Sequence, residues 1–262
     1  MRWIDTHTHI YDAAFLNDYA DMVDRAEQAG VSDLFVIAED VAVSRKIIEL
    51  VKADDRLHAV VGIHPGEVDA WGEGDLGMIR EFLDRAPELK IRGVGEIGLD
   101  YHYTTHNRAA QIELFRAQMS LAYEFDLPAV IHNRDAHQDS LTVVLELAAE
   151  GRLRPSPGVF HCYSGSPELA RELLKLGFYF GFDGPITYKN AKRSLRVLEG
   201  LPRDVVVLET DCPYLPPVPY RGKRNEPSYL PLIGAKLAEI WGVTEQEAAR
   251  LTTENARRLF RI

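Results

Sequence analysis

Short apolar runs rich in β-branched residues recur along this 262-residue chain, and each is followed by a stretch whose apolar positions return every three or four residues. The first pattern is that of buried strands and the second that of amphipathic helices. It predicts strands at 3–9, 31–37, 57–63, 91–97, 127–131, 158–162, 178–182 and 204–209. Between them it predicts helices over 17–29, 41–52, 74–86, 107–125, 135–149, 167–176 and 190–199. Two further helices, 228–241 and 244–260, close the pattern, the second opened by Thr244 with Glu247 three residues on as a capping box.

Strands that are almost continuously apolar and alternate strictly with helices belong to a parallel sheet buried on both faces. Eight such units are the number at which the sheet closes on itself. The expected fold is therefore α/β, a (β/α)8 TIM barrel with an additional C-terminal helix, and residues 1–262 are read as one domain. A doubly wound open sheet would alternate in the same way, but no Gly-x-Gly-x-x-Gly follows the first strand. No low-complexity stretch, long linker or internal repeat interrupts the alternation.

Chemistry enters at the C-terminal ends of these strands, where barrel enzymes build their sites. His7 and His9 fall two apart on the first strand and so share a face. His64 ends the third strand, Glu96 the fourth, His132 the fifth and His161 the sixth, while Asp211 follows the eighth. Any one of these, taken alone, reads as a hydrogen-bonded boundary residue. Four of these histidines, His7, His9, His132 and His161, and two carboxylates directed at one mouth would repel or deprotonate one another unless positive charge sat among them, and a pair of divalent ions fits. Glu96, with glycines on both sides, can bridge two such ions. Asp5 and Glu209 share the parity of the ligands one layer deeper and are expected to orient histidines. Cys162 and Cys212 have the opposite parity to His161 and Asp211 and are read as packing residues.

Composition narrows the partners. The net charge of −10 argues against a protein that coats nucleic acid through a basic face, yet it does not exclude an enzyme that holds one phosphodiester beside bound cations. The only two cysteines, far apart, support neither a disulfide framework nor a zinc knuckle. No charged leader precedes an apolar run and no apolar run is long enough to span a bilayer, so the expectation is a cytoplasmic protein with no membrane contact. No obligate protein partner is apparent. Arg134, Lys189, Lys192, Arg193, Arg221, Lys223 and Arg224 fall on loops or helix starts of the catalytic face and could meet phosphates, although charge runs usually face water. Tyr101, Tyr163, Tyr188 and Tyr214 lie in the same loops and could stack bases or simply cover the barrel.

The segments Asp5-Thr-His-Thr-His9, Gly62-Ile-His-Pro65, Gly95-Glu-Ile-Gly-Leu-Asp-Tyr101, His132-x-Arg134-x-Ala136-x-x-Asp139, His161-Cys-Tyr-Ser-Gly165 and Glu209-Thr-Asp-Cys-Pro-Tyr-Leu215 occur in this order. Together with the run Arg221-Gly-Lys-Arg-Asn-Glu-Pro227 and the terminal Asn255-x-x-Arg-Leu-Phe260, they resemble the TatD family of metal-dependent hydrolases, a branch of the amidohydrolase-like TIM barrels. The similarity covers the whole chain, and no ligand position departs from the pattern. The resemblance implies one metal held by His7, His9, Glu96 and Asp211, and a second held by Glu96, His132 and His161. It implies a deoxyribonuclease acting from 3′ ends on single strands or at damaged sites, with DNA ends as the substrate and Asp211 and Glu96 as catalytic residues. His64, Arg134, Tyr163, Arg221 and Lys223 would then bind the substrate. The two ions could be Mg²⁺, Mn²⁺ or Zn²⁺; a mixed histidine and carboxylate set suits zinc, manganese or ferrous iron on ligand softness. Two other readings stay open: a hydrolase of another ester or amide, such as an aminoacyl-tRNA deacylase or a small-metabolite hydrolase, and a metal-binding scaffold without turnover.

Overall fold

The computed structural model describes residues 2–103 and 107–262. Eight strands alternate with helices: β1 (Trp3–Thr8), α1 (Tyr19–Gln28), β2 (Val31–Ile37), α2 (Val41–Ala53), β3 (Leu57–Val61), α3 (Glu73–Asp84), β4 (Ile91–Asp100), α4 (Arg108–Glu124), β5 (Ala129–Arg134), α5 (His137–Ala149), β6 (Gly158–Phe160), α6 (Pro167–Lys175), β7 (Tyr179–Phe182), α7 (Lys192–Gly200) and β8 (Val206–Leu208). Two helices follow, α8 (Leu230–Trp241) and α9 (Glu245–Phe260). The strands form a single sheet in the sequential order β1 to β8. A doubly wound sheet would reverse that order at a switch point.

By its contacts the chain forms two compact units, one of Met1–Val36, Cys162–Ala170 and Phe180–Ile262, the other of Ile37–His161 and Arg171–Tyr179. In the first, β1 pairs in parallel with β2, β7 pairs with β8, and Thr8 bridges to Cys212 just beyond β8. Trp3 is completely buried, and Gly234 of α8 lies so close beneath its ring that a Cβ there would come within 2.2 Å of it. Phe35 of β2 packs on Phe260 at the end of α9, ring centroids 4.2 Å apart. Thr244 caps α9 by accepting the amide of Glu247 at 3.2 Å, which is the first half of the expected box.

In the second unit β3, β4, β5 and β6 pair in parallel in that order. Strands β3 and β6 each end two residues short of expectation, at Val61 and Phe160, and two further boundaries differ for identifiable reasons. Strand β5 starts at Ala129, because Asp126 takes a left-handed φ of 51° and Pro128 has no amide to donate. Strand β4 continues to Asp100, because its pairing with β5 extends through Gly98 opposite His132 and Asp100 opposite Arg134. Glu96 therefore lies inside β4 rather than at its end, and Arg134 closes β5 instead of opening the next turn. Two buried glutamines seven apart on one face of α4 clamp the neighbouring backbone. The Gln118 amide both accepts from the Ile63 amide and donates to its carbonyl, at 2.8 Å each, and Gln111 does the same for Asp100 at 2.8 and 3.0 Å.

Candidate metal centre

Backbone hydrogen bonds between the end of β1 and the segment after β8 create the first cluster: Asp211 N donates to His7 O at 3.0 Å, and His9 N donates to Cys212 O at 2.8 Å. With that register fixed, His7 Nε2 and His9 Nε2 stand 3.1 Å apart and lie 3.6 and 3.4 Å from Asp211 Oδ1. Donors that share an ion at ordinary bond lengths are separated by about 3 to 3.5 Å, so this spacing is that of a ligand set. The second nitrogen of His9, Nδ1, lies 3.1 Å from the Tyr11 hydroxyl, a partner that leaves Nε2 to face the cluster.

Buried carboxylates of this unit include those of Asp5, Asp183, Glu209 and Asp211. Asp5 does not hold an imidazole, contrary to the expectation from its parity; its oxygens accept from Thr210 N at 2.9 Å, Thr210 Oγ1 at 2.6 Å and His7 N at 3.4 Å. It thus ties the two ligand-bearing segments together through backbone. Burial pushes the Asp5 carboxyl up to about 7 against the lowering effect of those bonds. Glu209 accepts from Cys162 N at 2.5 Å, and it too is raised, by burial and by Asp183. Its carboxylate occupies the room left by Gly181, where a Cβ would come within 2.4 Å of Oε2. Burial also raises both thiols, Cys162 and Cys212, which keeps them protonated.

The second cluster belongs to the other unit. Glu96 Oε1 lies 2.8 Å from His132 Nδ1, 2.7 Å from His161 Nε2 and 3.7 Å from His64 Nε2, and the two histidine nitrogens closest to it are 3.2 Å apart. His161, the first residue after β6, is placed by its amide on Ile131 O at 3.0 Å. Asp100 Oδ2 lies 3.1 Å from His132 Nε2, so His132 turns Nδ1 toward the cluster and rests its other nitrogen on a carboxylate. Burial alone would lower the proton affinity of His132, but hydrogen bonds to Asp100 and Glu96 outweigh it and push the imidazole up to about 9. For Asp100, burial raises the carboxyl, yet the His132 bond and the amides of Tyr103 and His102 bring it down to about 2. Burial lowers His64 to about 4, and its Nδ1 accepts the Gly66 amide at 2.9 Å. A neutral imidazole accepting at Nδ1 carries its proton on Nε2, which makes His64 a donor toward the cluster.

The rim residues divide. Arg221 and Lys223 are exposed, the first with its guanidinium 4.2 Å from the Tyr188 ring and the second 5.8 Å from that of Tyr220. Arg134 is exposed over Tyr103 at 4.6 Å. Lys192 and Arg193 belong to the start of α7, and Lys189 to the loop before it. Arg224 does not belong to this set: it is engaged by Asp18 at 2.7 and 2.8 Å and by Glu226, in a network that also includes Arg25. Tyr163 is buried against Phe180 and Phe182 and donates its hydroxyl to Ser166 O at 2.9 Å. Tyr101 donates to Asp139 at 2.7 Å. Sequence reasoning gives no role to Tyr11, Asp100 or Asp183. Tyr11 and Asp100 are reachable in principle, since Tyr11 continues the alternation of His7 and His9, and Asp100 shares the parity of Glu96 once β4 is allowed its full length.

The donor sets fit divalent ions: imidazole nitrogens and carboxylate oxygens converge at ligand spacing in both clusters, and neither cysteine offers a thiolate. Fold and donors together are those of a metal-dependent hydrolase built on a (β/α)8 barrel. The chain belongs to the TatD family: the family described as TatD related DNase matches it over residues 4–261. It is 41% identical over 258 residues to the uncharacterized metal-dependent hydrolase YabD of Bacillus subtilis, covering 98% of both chains. It is 31% identical over 265 residues to the uncharacterized metal-dependent hydrolase TatD of Mycobacterium tuberculosis, covering 98% of this chain and 97% of that one. The crystal structure of YjjV, a TatD homologue from Escherichia coli, superposes with a TM-score of 0.92 at 32% identity, covering 100% of this chain and 98% of that one. Among the described residues no helix is long and apolar enough to cross a membrane.

Proposed function

We propose that this hydrolase is a deoxyribonuclease that removes nucleotides from the 3′ end of single-stranded DNA, using water activated by two divalent ions. The observation that carries the two-ion reading is the presence of two donor clusters, His7, His9 and Asp211 in one and Glu96, His132 and His161 in the other. The sharing of Glu96 by both ions comes from the family resemblance. When bound, such ions supply hydroxide at neutral pH and polarise the phosphoryl oxygen. The chain's own residues do the rest. Asp211 Oδ takes the proton of the attacking water and returns it to the departing 3′ oxygen. His64 donates Nε2–H to a phosphoryl oxygen, and Asp100 keeps the His132 ring turned so that Nδ1 stays available. Arg134, Arg221 and Lys223 meet backbone phosphates.

The test is turnover of a single-stranded oligomer labelled at its 5′ terminus by metal-stripped protein with Mg²⁺, Mn²⁺ or Zn²⁺ restored, beside Glu96→Ala. Stepwise shortening that returns with metal and is lost by at least about a hundredfold in Glu96→Ala is the expected result, on the scale of losing an essential catalytic group. Intact DNA under every metal overturns the reading. The net charge of −10 favours the alternative of a non-nucleic ester or amide, and those substrates are then the ones to screen.

A further inference from the structure

The turn that follows the ligand Asp211 is rigid. Tyr214 N donates to Asp211 O at 2.9 Å, and the fully buried Asn225 side chain donates from Nδ2 to the carbonyls of Thr210 at 2.7 Å and Tyr214 at 2.6 Å. These bonds fix the backbone from which the Tyr214 ring projects. It is 51% exposed, and its centroid lies 6.0 Å from that of His9 at an interplanar angle of 66°. A half-exposed aromatic ring is therefore presented beside an imidazole of the first cluster by backbone tied down in these bonds. The same loop is laced to the segment after β7: Tyr188 donates its hydroxyl to Pro216 O at 2.9 Å, and Val218 N donates to Thr187 Oγ1 at 2.9 Å. On that scaffold Arg221 lies over Tyr188 and Lys223 lies toward Tyr220. A preset ring next to the donor cluster, followed along one loop by cations resting on tyrosines, is the chemistry of a single-strand track, where bases stack on aromatic faces and phosphates meet positive charge.

We infer that Tyr214 is the stacking platform for the base of the nucleotide nearest the scissile bond, with Arg221 on Tyr188 holding the strand that trails behind it. This inference rests on the deoxyribonuclease reading above. It makes Tyr214 a specificity-determining residue: stacking is indifferent to base identity but requires a base. An ester lacking an aromatic group gains nothing from the ring.

The experiment compares kcat/KM of the metal-loaded protein on two single-stranded oligomers of the same phosphodiester backbone, one with ordinary bases and one whose last three nucleotides are abasic. The wild type is expected to prefer the based oligomer by about tenfold, the scale of one base stacked on one ring. In Tyr214→Ala that ratio should fall toward one through a rise in KM, while Tyr214→Trp should keep it. Tyr123→Ala, at an exposed tyrosine of α4 far along the chain from the site loops, should leave the ratio at the wild-type value. If the wild type digests both oligomers equally, or if Tyr214→Ala keeps the tenfold ratio, the stacking inference is overturned and the nuclease reading stands. If the wild type digests and binds neither oligomer, both fall together.

Discussion

Asp183 stands one residue beyond β7, buried, with its Oδ2 lacking a hydrogen-bond partner among the described residues. Burial, and after it the charge of Asp211, push its carboxyl from 3.8 up to about 8. Between those values the folded protein binds one more proton at this position than the unfolded chain does. The stability Asp183 contributes is therefore fully present below its ordinary value and is lost as pH rises through about 8. In metal-free protein, urea unfolding followed from about pH 5 to about pH 8.5 should show wild type losing stability relative to Asp183→Asn, with a difference in slope approaching about 1.4 kcal/mol per pH unit, the value for one proton. Asp5 is raised in both proteins, and Glu209, raised by burial first, stays raised by burial in the variant, so the difference reads Asp183 together with its coupling to Glu209. Parallel slopes would show that Asp183 is ionised in the folded state. This behaviour is not legible in the sequence: Asp183 follows a strand like any turn aspartate, and only its burial in the fold, with Asp211 and then Asp5 nearby, gives it a raised affinity for a proton. The candidate ligands are legible, because His7, His9, Glu96, His132, His161 and Asp211 recur at strand ends or in strands, where parity fixes their direction.

The elements follow the apolar periodicity closely, and the exceptions are set by long-range pairing. The periodicity gives strand β2 its observed ends, whereas it stops β4 at 97 and the strand runs on to Asp100. No local signal in Gly98-Leu99-Asp100 announces that β5 will pair there. The pairing depends on Gly98, whose φ of 136° and close approach leave no room for a side chain: a Cβ would fall 2.0 Å from His132 O. Gly98→Ala is expected to destabilise the metal-free protein by about 2 to 4 kcal/mol, the range for forcing a side chain into a backbone contact at an unfavourable φ. Gly77 provides the opposite case inside α3, with nothing within 4 Å of the place an added Cβ would take, and Gly77→Ala should stabilise by about 0.5 to 1 kcal/mol. Thermal denaturation of the two variants reads both signs, and equal midpoints would contradict the steric argument. The rim is the least legible part. Arg224 and Arg221 are three residues apart in one basic run, yet one is spent on Asp18 and Glu226 and the other faces solvent over Tyr188.

For the molecule as a whole, a net charge of −10 sets the problem that the metal centre must solve. On the proposed reading a polyanionic substrate would approach an acidic surface, and two divalent ions together with the exposed cations of the loops after β5 and β8 would supply the local attraction that the overall charge denies. On that reading the ions would serve binding as well as chemistry, which makes their number the central quantity. The most direct measurement is a stepwise titration of metal-stripped protein with Mn²⁺, following bound ions per chain and turnover of single-stranded DNA in the same samples. Two ions per chain, with turnover appearing as the second binds and one ion lost in His132→Ala, is the expected result. Full turnover with a single ion bound, or with none, would contradict the two-cluster mechanism.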